Sequence, residues 1–195
     1  MRHATILLAA LPLAACISFG AEPPPSLLTL ETRAEVPVGE VRRVDGAGAI
    51  TVLSLTTPQA LATQRVPVQA TPTTIAYVED AQWTEPPARL FARLLGDTIA
   101  ARTGRVVLAG GQAVADPGTR LGGELRRFGL DATAREAVVT FDAQVARGEA
   151  NAVERRRFEA RVPIAGEIDA QTAGLLLNDA ANQVAVQVAE WIGQR

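Results

Sequence analysis

The chain has 195 residues, 48% of them hydrophobic, with 19 arginines, no lysine and 21 acidic residues, giving a formal net charge of -2. That length supports one domain with a true hydrophobic core, and the near-neutral balance excludes the concentrated basic surface that nucleic-acid phosphates require. A single cysteine, Cys16, excludes an internal disulfide, and a single histidine, His3, excludes histidine-based zinc sites.

The first residues carry the most specific pattern. Met1-Arg2-His3 is short and basic, residues 4–13 are an apolar run, and Ala14-Ala15 precede Cys16, the layout of a secretory signal. The run falls short of the roughly 20 apolar residues that span a bilayer as a helix, so residues 1–15 are expected to be removed. Leu13-Ala14-Ala15-Cys16 resembles the bacterial lipobox, in which small residues admit the backbone to a peptidase and the cysteine thiol accepts a diacylglyceryl group. Cys16 is therefore the expected lipidation site and new N-terminus, bearing diacylglyceryl and palmitate-type acyl groups. Two or more chains anchor stably where one is marginal. Ile17, not Asp, follows the cysteine, which in enteric-type bacteria favours passage to the outer membrane. The expected location is the cell envelope, facing the periplasm.

Residues 16–39 read as a lipidated, Pro-rich tether, with Pro23-Pro24-Pro25 and Pro37 favouring extended chain. Within it, Ser26-Leu27-Leu28-Thr29-Leu30 is expected to pair as a short edge strand, because its leucines otherwise lie in water. Residues 40–195 form a single periplasmic domain. Its first strand is expected over residues 49–55, followed by short β-rich runs at 64–69 and 73–78. A helix follows, with Thr84 as cap, Pro86 and Pro87 in its first turn and Gly104 at its end. Its apolar stripe joins Leu90, Leu94 and Thr98 to Phe91, Leu95 and Ile99. A strand at 105–109 and a loop at 110–118 come next.

Residues 119–131, 136–147 and 152–164 then alternate apolar and polar positions, as an antiparallel meander with one wet face requires. The last helix spans about 170–192, capped by Asp169, with Leu177, Ala181, Val184, Val188 and Trp191 or Ile192 inward. The expected fold class is α+β: a mixed, largely antiparallel sheet with two main helices packed on one face.

Four features in order carry a resemblance: the lipobox ending at Cys16, Gln64-Arg65-Val66, the stretch from Ile75 through Trp83-Thr84-Glu85-Pro86-Pro87 into a helix, and Leu121-Gly122-Gly123-Glu124-Leu125-Arg126-Arg127-Phe128. Together they resemble the auxiliary lipoproteins of ABC-type transport systems. The resemblance implies an accessory that tethers and docks without catalysis, and partners that include an MCE-domain protein and other transporter components. It further implies lipid transport between membranes, with phospholipid as a ligand. A homo-oligomer is in keeping with the symmetry a conduit demands. The family usually places an aromatic residue where this chain has Leu27-Leu28-Thr29-Leu30. The alternative is a stand-alone envelope-assembly or lipopolysaccharide-binding lipoprotein.

Enzymatic chemistry lacks its groups, since the mature chain has no histidine to activate a nucleophile. A Walker motif needs a lysine, and no dinucleotide turn is present. No catalytic, metal or cofactor residue is expected. Glu79 and Asp80 beside Trp83 are adjacent on an extended segment and so diverge; they read as an exposed acidic turn. Tyr77 and Trp83 are the candidate binding residues, either lining a groove for lipid or partner or buried between sheet and helix. Arg155-Arg156-Arg157, interleaved with Glu154 and Glu159, reads as a solvated strand face.

Overall fold

The computed structural model describes residues 26–35, 39, 41, 43–44, 48–110, 118–148 and 152–194. The signal, Cys16, the triple proline and most of the 110–118 loop lie outside these residues. The sheet is organised by its longest strand, β5 (Thr119–Asp131). Along one edge it pairs antiparallel over its full length with β6 (Glu136–Arg147), which pairs in turn with β7 (Val153–Pro163). Leu125, Phe141 and Phe158 fall in one cross-strand row.

Along its other edge, β5 is shared between two shorter pairs. Its first residues run parallel to β1 (Ile50–Val52), beyond which lies β4 (Val107–Ala109), also parallel. Its last residues run parallel to β2 (Arg65–Thr71), which forms a hairpin with β3 (Thr74–Gln82). Thr56 bridges Glu124 between the two pairs. Among the described residues the result is a mixed seven-stranded sheet, and the fold is α+β as expected. Gly123 occupies a position open only to glycine: its φ is 144°, and a Cβ there would overlap the Asp142 carbonyl oxygen.

Both helices cover the same face of the sheet. Helix α1 (Pro87–Thr103) starts two residues later than a Thr84 cap implies, because Pro86 takes the N-cap position without a side-chain bond and Pro87 enters the first turn. Proline fits there since its missing N–H would be unpaired in any case. Gly104 ends the helix in the left-handed conformation, φ 69°. All six residues of the expected α1 stripe are buried. Helix α2 (Ala170–Gly193) is capped by Asp169, whose carboxylate accepts the Thr172 backbone N–H at 2.7 Å. That bond to the charged form holds the Asp169 carboxyl below its ordinary pKa.

The core between sheet and helices is stitched by aromatic edges. Trp83 meets Phe128 at 5.4 Å and Phe91 meets Phe141 at 5.4 Å, both near T-shaped, and Phe158 lies 5.6 Å from Trp191. Each large side chain buried this way contributes roughly 1.5–3 kcal/mol. The helices run parallel, with Gly193 near the end of α2 packing beside Thr103 at the end of α1.

Candidate docking and anchoring surface

Where the tether meets the domain, it does not stay free. From Leu28 to Arg33 the expected tether lies along α2. The expected edge strand shrinks to one parallel bridge: the Leu28 N–H donates to the Gln82 carbonyl at 2.7 Å, and the Thr84 N–H donates to the Leu28 carbonyl at 2.8 Å. Beyond it the chain is held by α2 side chains. The Glu31 N–H donates to Asn178 Oδ1 at 2.9 Å and the Arg33 N–H to Asn182 Oδ1 at 2.8 Å. Asn182 Nδ2 donates in return to the Glu31 carbonyl at 3.0 Å and to the Asn178 carbonyl at 2.8 Å.

Asn182 is only 5% exposed, which an amide tolerates because these bonds pair both ends of it. Thr32 and Thr98 hydroxyls meet at 3.3 Å, and the Arg33 guanidinium reaches Asp179 at 2.7 Å. Leu28 and Leu30 pack on the core edge, and Leu28 rests on Gly174, where an added Cβ would lie 2.8 Å from its Cδ2. Past Arg33 the strap borders a cleft of about 700 Å³ between the helices, lined among others by Thr98, Ala101, Arg102 and Gln187.

The two candidate binding aromatics have different surroundings. Trp83 is fully buried, and its indole N–H has no acceptor among the described residues. It packs on Phe128 in the core and presents no surface to solvent. Tyr77 is half-buried on β3 with the Arg65 guanidinium stacked 3.9 Å over its ring, a cation–π contact. A three-residue excess in β3 relative to β2, with Asp80 at φ 53°, separates the two rings. Glu79 and Asp80 on this bulge are exposed.

On the sheet face away from the helices, charges are paired in rows. Arg157 grips Asp142 with two bonds, of 2.6 and 2.8 Å, and Arg126 approaches the same carboxylate at 3.5 Å. Arg161 joins Glu159 at 2.7 Å and Glu136 at 3.0 Å. The Arg157 hydrogen bonds hold the Asp142 carboxyl below its usual range. Arg156, by contrast, turns to the helix side and stacks 5.1 Å over Phe158. No group of three His, Cys, Asp or Glu side chains among the described residues is placed to hold a metal. No helix among them is long and apolar enough to cross a membrane.

The sequence profile of the ABC-type transport auxiliary lipoprotein component matches residues 28–189. The chain belongs to this family. The match to the auxiliary lipoproteins begins at Leu28, the strap residue that bridges Trp83, and runs nearly to the end of α2. Among solved structures, protein XCC0632 from Xanthomonas campestris shares 16% identity with a TM-score of 0.70, covering 86% of this chain and 94% of that one. An uncharacterized protein shares 13% identity with a TM-score of 0.65, over 75% of this chain and 92% of its own. At such identities the likeness establishes the shared fold alone. No curated protein matches the chain.

The strap was the part that sequence reasoning missed. Asn178, Asp179 and Asn182 look like solvated positions on the polar side of α2, and Gly174 looks like a weak helix residue. The available signal was the four-residue spacing of the two asparagines, with Gly174 four residues before the first, which lines all three along one helix flank.

Proposed function

We propose that this auxiliary lipoprotein is moored by acyl groups on Cys16 in the outer membrane, faces the periplasm, and serves an MCE-associated ABC-type lipid transport system by tethering and docking, without catalysis. The observation that carries this reading is the family match over residues 28–189, which takes in the strap as well as the sheet and helices. The lipobox pattern before Cys16 and the lack of histidine in the mature chain agree with it. Tyr77 and the rows of paired charges supply polar docking surface, whereas the buried Trp83 contributes to stability.

The test is affinity purification of the full lipidated chain in mild detergent, with mass analysis of its N-terminus. An acylated Cys16 and co-purifying MCE-domain protein are expected. An acylated protein that captures envelope-assembly factors or lipopolysaccharide and no MCE-domain protein would overturn the transport assignment. A free Cys16 thiol would overturn the mooring.

A further inference from the structure

We propose that the end of the domain bearing Leu27 and Leu175 rests on the membrane surface that holds the anchor, with both leucines in the headgroup layer; this rests on the Cys16 mooring proposed above. The strap gives the direction. It touches α2 in the order Leu28 on Gly174, Glu31 on Asn178 and Arg33 on Asn182. Extended chain advances about 3.3 Å per residue and helix about 1.5 Å, so these contacts describe a strap laid parallel to the helix axis. Ser26 therefore lies level with the first turn of α2.

The remaining reach is short. Residues 17–25 separate Cys16 from Ser26, and even fully extended that stretch spans at most about 35 Å. The 24 residues of α2 are themselves about 36 Å long. The far end of the domain meets the bilayer only if the tether doubles back along the whole helix, whereas the near end meets it in any relaxed conformation.

Apolar exposure agrees with the reach. Leu27 is 52% exposed and Leu175 65% exposed, the two most exposed leucines among the described residues, and they adjoin the contact of Leu28 with Gly174, one on the strap and one on α2. Leucines left in water beside an acyl anchor gain by entering the acyl boundary. The acids at this end, Glu31, Glu167, Asp169 and Asp179, outnumber its arginines, Arg33 on the strap and Arg135 bound to the Gly166 carbonyl, so contact is apolar and is not driven by anionic headgroups.

Acylation consumes the one native thiol, so a single cysteine introduced into the lipidated protein takes a fluorophore at one place. With the protein bound to phosphatidylcholine vesicles carrying a spin-labelled lipid, a label at Leu175→Cys or Leu27→Cys is expected to be quenched at least threefold more than one at Val153→Cys. Val153 is 56% exposed at the start of β7, beyond the opposite end of α2. Adding phosphatidylglycerol should leave that ratio unchanged. Equal quenching at the two ends, or stronger quenching at Val153, in an acylated and vesicle-bound protein overturns the orientation alone. A mass lacking acyl groups overturns the orientation and the mooring together.

Discussion

Helix α2 buries two flanks by opposite means. Toward the sheet it presents Leu177, Val184, Val188 and Trp191, packed against the meander, where Phe141 and Phe158 supply the facing surface. Toward the strap it presents Gly174, on which the Leu28 side chain rests, and Asn178 and Asn182, which grip backbone groups of Glu31 and Arg33. The first contact is large, apolar and indifferent to direction; the second is small, polar and sets register. A hydrogen bond nets about 0.5–1.5 kcal/mol whereas a buried aromatic brings several times that on truncation. The sheet side should therefore govern whether the domain folds, and the strap side where its leading segment lies.

Substitutions on the two flanks can break that division. Phe141→Ala, in the fully buried row that meets Phe91, is expected to lose about 3–5 kcal/mol in urea unfolding, with the amides that open only by global unfolding exchanging faster. Asn182→Ala should cost about 1–3 kcal/mol of the local free energy that holds the strap on α2. Hydrogen exchange should show its protection loss at Glu31 and Arg33 while the β6 amides keep theirs; uniform loss would mean the strap is part of the core. Trp83→Phe should cost less than about 1.5 kcal/mol, because it removes volume but also an indole N–H that has no acceptor among the described residues.

The smallest effect belongs to the charged face. Asp142 and Asp131 are held below the ordinary carboxylate pKa, Asp142 first by its hydrogen bonds to Arg157 and Asp131 first by the Ala134 backbone N–H. A depressed folded-state pKa contributes stability that is present above about pH 4, the unfolded value, and is lost as pH falls through the folded one. Asp97 works the other way: burial raises its pKa, so its ionised form destabilises above that pKa and the penalty fades on acidification. Asp142→Asn should lower the urea midpoint slightly at pH 7 and flatten its acid limb, so that the variant and native curves converge as pH falls.

Much of this was legible in the residues, and for identifiable reasons. The alternation Val139, Phe141, Ala143, Val145 has period two and nothing competing with it, so β6 and its neighbours could be placed almost to the residue. Leu90, Phe91, Leu94, Leu95, Thr98 and Ile99 gave the buried side of α1 in the same way. The Thr84 cap was displaced because two prolines impose their own start. The sharing of one β5 edge between two strand pairs depends on contacts distant in sequence, which no local period records. The strap was hidden for a related reason: its partners on α2 are polar residues about 150 positions away, and polarity alone does not separate an amide that binds water from one that binds chain.

The parallel lie of the strap on α2 has a mechanical consequence. A pull applied at Ser26 along the helix axis loads the bonds at Leu28, Glu31 and Arg33 in shear, all at once, instead of peeling them one after another. Force entering from the leading segment is thereby divided between α2, through Glu31 and Arg33, and the end of β3, which the Leu28 backbone bonds hold directly.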